Sequence, residues 1–225
     1  MQKVIIAIDG PAASGKSSTA RLLAQRLGYV YLDTGAMYRA CALQAQREGL
    51  SLEDVDAIAT MMDSINLRMD FAQEQNRVFL DDEDVSQLIR SESISKMSSA
   101  ISALTPVRLK MVELQRRIAH AGGFILDGRD IGSYVFPDAR IKFFLTADVD
   151  ARAQRRLLEL QAKGIAASFE DVRADLLQRD KNDRNRTLAP LVQADDAILI
   201  DTTLLTLEGQ VDLLYQHVQK ILGGL

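Results

Sequence analysis

Five short apolar runs mark the chain: VIIAI (4 to 8), YVYL (29 to 32), FILD (124 to 127), IKFFL (141 to 145) and AILI (197 to 200). They are nearly continuous rather than alternating, as strands buried on both faces of a parallel sheet must be. Between them run helical periods, for example Ala20, Leu23, Ala24 and Leu27 at i, i+3, i+4 and i+7. Strands alternating with helices predict a doubly wound α/β domain with right-handed crossovers and a five-stranded parallel sheet. Asp9, Asp33, Asp127 and Asp201 close or directly follow four of the runs. Ligands of open α/β sheets bind outside the carboxyl ends of the strands, so these carboxylates line the expected site. An aspartate there can equally cap the next turn, and for Asp201 that plain role is preferred.

The pattern changes between Met62 and Ala119. Ile65, Leu67, Met69 and Phe71 alternate with polar residues, and RVFL follows a polar QEQN stretch. Such a period of two predicts a half-exposed β-hairpin outside the main sheet. Helices follow, one of them expected to start with Thr105 as N-cap and Pro106 at its first position. Residues 63 to 119 therefore read as an inserted subdomain, with 1 to 62 and 120 to 225 as the core. Within the core, residues 148 to 187 read as two charged helices joined by KGIAAS, with Gly164 as a C-cap and Ser168 to Asp171 as a capping-box start.

Composition narrows the function. The chain has 225 residues, 47% of them hydrophobic, enough for one sizeable core. No window approaches a membrane span, and Met1 leads into VIIAI without the features of a signal peptide, so a cytoplasmic, soluble protein is expected, monomeric by default. One cysteine, Cys41, and two histidines, His120 and His217, leave neither an internal disulfide nor a zinc spacing, and Cys41 is expected in the core. A net charge of −4 argues against a nucleic-acid binder. Local clusters must carry any anion binding. Of the 27 basic residues 19 are arginine, whose planar fork grips phosphate bidentately.

The first strand runs into GPAASGKS, residues 10 to 17, which matches G-x-x-x-x-G-K-[ST] and opens a helix. In such a phosphate loop successive backbone N–H groups of Gly10, Pro11, Ala12, Ala13, Ser14, Gly15, Lys16, Ser17 and Ser18, proline excepted, can face an anion. Lys16 reaches the β and γ phosphates and the Ser17 hydroxyl is offered to magnesium. The loop alone leaves GTPases, ATPase motors, kinases and non-catalytic nucleotide-binding modules open. A GTPase should carry N-K-x-D after a strand, and the nearest string, DKND at 180 to 183, has the wrong order. FILDGRD offers an aspartate followed by glycine and arginine, better suited to holding an anion than to activating water.

A hydroxyl acceptor needs a general base, and none is evident beyond the strand-end aspartates. A phosphate acceptor needs none. Its difficulty is repulsion between donor and acceptor phosphates, which calls for arginines on both sides. Arg39, Arg108, Arg129, Arg179, Arg184 and Arg186 stand next to turn or helix-end signals. In a helix continued from Leu176 and Leu177, Arg179, Asp183 and Arg186 share one face, while Asp180 and Arg184 share the next.

Taken together, GPAASGKSS, DTGAMYR (33 to 39), DGRDIGSYVFPDA (127 to 139) and RDKNDRNRTLAPL (179 to 191) resemble the bacterial-type cytidylate kinases over nearly the whole chain. The resemblance implies a three-layer P-loop kinase fold, with 63 to 119 as the monophosphate-binding subdomain and 152 to 187 as a short helical lid. It implies transfer of the γ-phosphoryl group of ATP to CMP or dCMP, with magnesium, in pyrimidine nucleotide metabolism. Lys16, Arg129 and Arg184 would be catalytic, and Asp180 would orient Arg184. The phosphate loop with Arg155 and Arg156 would hold ATP, and Arg152 would join those two in the lid. Asp33, Thr34, Tyr38, Arg39, Ser99, Arg108, Arg129, Asp130, Arg179, Asp183 and Arg186 would hold CMP. Of these, Ser99, Arg108 and Asp130 would read the cytosine, and Arg179 and Asp183 would face the ribose. Asp130 suits its part, because a carboxylate accepts from the exocyclic amino group that uracil lacks. Ala13 stands where the family usually has glycine, which argues against a positive φ there.

Overall fold

The computed structural model describes residues 3 to 71 and 76 to 223, and the chain divides into two compact units. One comprises the chain up to Tyr29 and from Gly122 onward, and the other is Val30–Ala121. The second unit thus begins at Val30, well before the boundary at residue 63 read from the sequence.

The first unit contains β1 (Ile6–Asp9), α1 (Lys16–Leu27), β6 (Phe124–Gly128), β7 (Ile141–Thr146), α6 (Val149–Ala162), α7 (Phe169–Arg184), β8 (Ile198–Asp201) and α8 (Leu207–Gly223). β1 is central, with Ile6 opposite Ile125 of β6 and Ile141 of β7, and β7 sets Phe143 opposite Ile198 of β8, all parallel. Ile6, Ala7, Ile8, Ile125, Leu126, Phe143 and Leu145 are buried, as continuous apolar strands require. With β2 (Val30–Asp33) at the far edge the sheet has five strands, in the order β2-β6-β1-β7-β8. Helices surround it: α1 packs on β6 and α8, and α6 on α7.

Helix ends follow local chemistry. Ser168 caps α7, its Oγ accepting from Asp171 N at 3.0 Å and donating to the Asp171 carboxylate at 2.7 Å, and Gly164 takes φ 72 after α6. Asp201 accepts from Thr203 N at 2.8 Å and from Thr203 Oγ1 at 2.5 Å, the plain turn role preferred from the sequence.

The second unit continues from β2 into α2 (Thr34–Arg47), α3 (Val55–Ser64), the antiparallel β3 (Leu67–Phe71) and β4 (Asn76–Leu80), β5 (Glu83–Asp84), α4 (Glu92–Ile101) and α5 (Thr105–Ala119). The expected hairpin is present, with Met69 opposite Val78, and three residues of the QEQN stretch, Gln73 to Gln75, lie outside the described residues. Two expectations shift. Ile65 is the C-cap of α3 rather than a strand residue, and Leu104 rather than Thr105 is the N-cap of α5, with Pro106 in the first turn. Cys41 is buried beside Met111, and burial pushes its thiol up to about 12.

Candidate active site

The phosphate loop of the first unit is built between β1 and α1. Gly10 has φ 144, and a Cβ there would run into the carbonyl oxygen of Leu145 on β7. Gly15 is the N-cap of α1 with φ 89, and a Cβ there would meet the Gln210 side chain at 2.5 Å. Only glycine fits either position. Ala13 has φ 59, against the expectation that an alanine would avoid positive φ, and this left-handed turn costs roughly 1–2 kcal/mol. Neighbours hold the loop. Arg152 Nη1 donates to Ala12 O at 3.1 Å, and Thr202 Oγ1 lies 3.0 Å from Ser14 O.

Lys16 is buried inside the loop, its Nζ donating to Pro11 O at 2.5 Å and lying 3.3 Å from Ser14 Oγ. Burial, then the Arg129 charge, lowers its pKa to about 7, while Asp127, Asp9 and Asp183 oppose that fall. Ser17 Oγ donates to Asp127 Oδ2 at 2.5 Å, so the end of β6 supplies a carboxylate to the first turn of α1. The sequence marks Asp127 as a strand-end aspartate of FILDGRD but carries no sign of this pairing with Ser17. Ser18, one position on, is exposed.

Beyond β6 the chain places Arg129 within electrostatic reach of Lys16, and Asp130 within reach of Asp9. Arg129 Nε donates to Asp183 Oδ2 at 2.7 Å, and Arg186 pairs with the other oxygen of Asp183. Burial of Asp183 would raise its pKa, but Arg129 and Arg186, with a smaller contribution from Arg179, overcome that and hold it below the ordinary carboxylate range. Burial likewise opposes the charge on Arg129, and Asp183 outweighs it, so that its pKa is raised. Asp130 is buried and introduces a wide turn, Ile131–Val135, in which its carbonyl accepts from Tyr134 N at 2.9 Å and Val135 N at 3.0 Å. Wide turns of this kind concentrate at functional sites.

The structure therefore gathers Lys16, Ser17, Asp127, Arg129, Asp183 and Arg186 into one electrostatically linked group. The 179 to 186 segment does lie in and just after α7, with Arg179 half-buried and Arg184 exposed. Asp180 differs from its expected part: its carboxylate is buried and paired with Arg152 Nη2 at 2.8 Å, not turned to Arg184. Arg152 in turn is no lid surface residue but a buried strut, also donating to Ala147 O at 3.1 Å. Arg155 donates to Thr202 Oγ1 at 3.1 Å, tying α6 to the loop after β8, and Arg156 lies 3.3 Å from Glu159 on the same helix.

In the second unit Asp33 caps α2, accepting from Ala36 N at 2.9 Å and pairing with Arg39 Nη2 at 2.9 Å. Thr34 is buried behind it. Arg108, the bulkiest fully buried side chain among the described residues, stands 5.8 Å over the Tyr38 ring and donates to Ser102 O at 3.1 Å. A guanidinium is costly to bury unless anions or dipoles repay it, so this position is specialised. Ser99 lies on α4, half-buried, and its carbonyl accepts from Ser102 Oγ at 2.9 Å.

The pattern that defines the family described as Cytidylate kinase matches residues 6–220. The cytidylate kinase of Geobacter sp. (strain M21) is 48% identical over 220 residues, covering 98% of this chain and 94% of the relative. That of Salinibacter ruber is 49% identical over 221 residues, covering 96% and 97%. Among solved structures, a shikimate kinase from Bacteroides thetaiotaomicron superposes with a TM-score of 0.51 at 12% identity, covering 98% of each chain, a likeness of fold alone. Among the described residues no helix is long and apolar enough to cross a membrane.

Proposed function

Since the chain belongs to the cytidylate kinase family, we propose that it transfers the γ-phosphoryl group of ATP to CMP or dCMP, releasing ADP and CDP or dCDP. The observation that carries this reading is the pair of guanidinium groups, Arg129 and Arg186, ion-paired to Asp183 within electrostatic reach of Lys16 of the phosphate loop. A phosphoryl group moving between two phosphates needs its repelling charges held in line, and fixed guanidinium groups do this without a base. Lys16 is assigned to the donor phosphates, whose negative charge would favour its protonated form against the burial that lowers its pKa. Arg129 and Arg186, held by Asp183, are assigned to the acceptor phosphate and Arg184 to the group in flight. Asp183 is thereby a positioning residue more than a ribose ligand.

The family also implies magnesium. Ser17 Oγ and the Asp127 carboxylate, 2.5 Å apart, are hard oxygen donors, and magnesium takes one or two protein oxygens with the rest from phosphates and water. Bound there, it would neutralise charge on the β and γ phosphates. Asp130 is assigned to the cytosine amine. Thr34, Tyr38, Arg39, Ser99 and Arg108 of the second unit are assigned to the acceptor by family resemblance, and a cytoplasmic monomer completes the reading.

A coupled assay with CMP, dCMP, UMP and AMP as acceptors tests it. Turnover of CMP and dCMP far above UMP and AMP is expected. UMP used as well as CMP would remove the amine-reading role of Asp130, and GTP bound far tighter than ATP without transfer to any acceptor would overturn the kinase reading.

A further inference from the structure

Asp9 closes β1 and immediately precedes the phosphate loop, yet its side chain serves a different loop. In the β1–β6 register Asp9 stands opposite Gly128, so the segment carrying Arg129 and Asp130 begins beside it. Its two carboxylate oxygens each take one backbone donor: Oδ1 accepts from Ile131 N at 2.8 Å and Oδ2 from Gly132 N at 2.7 Å. These amides directly follow Asp130, whose own carbonyl is engaged by Tyr134 and Val135. The peptide bearing Asp130 is thus clamped on both sides, and the carboxylate that clamps it is 5% exposed.

A plain reading is that Asp9 merely satisfies two buried N–H groups. Burial weighs against it, because desolvation pushes the Asp9 carboxyl up to about 7 even with both N–H donors lowering it. The two donors reach separate oxygens, and a carboxylate offers an acceptor at each, whereas an amide would set an NH2 group against one of them. On the backbone side Asp9 leads into Gly10, which is wedged against Leu145 O. One residue thereby joins the start of the donor loop to the turn that carries the acceptor-facing Arg129 and Asp130.

We propose that Asp9 is a positioning residue for acceptor selectivity, setting the turn 130 to 132 so that Asp130 can discriminate cytosine from uracil. This rests on the assignment of Asp130 to the cytosine amine. Misdirecting Asp130 should weaken the reading of the base while the donor site, held by Arg152, Thr202 and Gln210, keeps its shape.

The test compares Asp9→Asn with Asp130→Ala for kcat/KM on CMP and on UMP and for KM of ATP. The expected result is that both variants lower the CMP-over-UMP ratio, Asp9→Asn by about tenfold, with KM for ATP changed less than about twofold. If Asp130→Ala collapses the ratio and Asp9→Asn does not, or if Asp9→Asn worsens CMP, UMP and ATP in parallel, the positioning role is overturned and the reading of Asp130 stands. If Asp130→Ala leaves the ratio intact, both are overturned. Should Asp9→Asn fail to fold, amide exchange in the unmodified protein decides instead. Protection at Ile131 and Gly132 that rises with CMP but not with ATP supports the role, and solvent-like exchange there, or an equal response to both nucleotides, refutes it.

Discussion

Arg129 and Asp183, 54 positions apart in the chain, meet at 2.7 Å, so that the loop after β6 and the last turn of α7 are locked through one charged hydrogen bond. Asp183 is 2% exposed, and its second oxygen takes Arg186, so both of its oxygens are engaged by guanidinium groups. Two guanidinium groups aimed by one buried carboxylate are held at low entropic cost.

Asp183→Asn keeps the shape and removes the charge that aims both arginines. We expect kcat/KM for CMP to fall about 100-fold, by analogy with loss of one preorganised charge stabiliser, with the CMP-over-UMP ratio preserved because the base is read elsewhere. Steady-state kinetics with both acceptors checks this, and a fall confined to KM for ATP would contradict it.

The same pair makes stability depend on acid. The folded-state pKa of Asp183 lies below its ordinary 3.8, so its ionisation stabilises the fold above that value, and the contribution is lost as pH falls through the folded value. Urea midpoints at pH 7, 4 and 3 should therefore drop more steeply below pH 4 for the wild type than for Asp183→Asn. Parallel profiles would show that the carboxylate is not preferentially ionised in the folded state.

Much of this was legible in sequence because it is local. All five strands and the phosphate loop follow from apolar runs and one motif, and each strand ends one residue past its run, at Asp9, Asp33, Gly128, Thr146 and Asp201, while β1 also starts later, at Ile6. β5 left no signal, since Glu83 and Asp84 are two exposed acidic residues paired only because β4 offers them an edge. The site was legible as a list of residues but not as a set of pairings. Nothing in the helical pattern tells Arg152 from Arg155 or Arg156, yet Arg152 is buried against Asp180. Likewise Asp9 reaches amides more than a hundred positions away, and only the β1–β6 register brings them together.

Arg152 and Asp180 form a buried pair with 6% and 9% of their side chains exposed, bracing α6 against α7 with Ala12 O as a third point. Removing one partner strands a buried charge, so Arg152→Met or Asp180→Leu alone should each cost about 3–5 kcal/mol. The double variant should recover a large part of that loss, since apolar side chains suit the surrounding Leu176 and Val172 cluster. Chemical denaturation of the four proteins gives the coupling. Additive losses would mean that the two charges do not depend on each other.

The phosphate loop carries two opposite backbone constraints that substitution can separate. At Gly10 a methyl group would strike the Leu145 carbonyl and φ 144 is outside what alanine adopts, so Gly10→Ala should cost at least about 3 kcal/mol and abolish ATP binding. Ala13 already sits at φ 59, a conformation that penalises a Cβ by roughly 1–2 kcal/mol. Glycine there would remove the penalty but give the unfolded chain about 0.4–1 kcal/mol of extra freedom. The two terms nearly cancel, and Ala13→Gly should be neutral to slightly stabilising, with KM for ATP unchanged. Thermal melting and ATP kinetics on both variants check the contrast, and a marked loss of stability in Ala13→Gly would mean that the Ala13 methyl, packed against the cluster of Ala153, Leu160 and Leu176, contributes more than the strain it imposes.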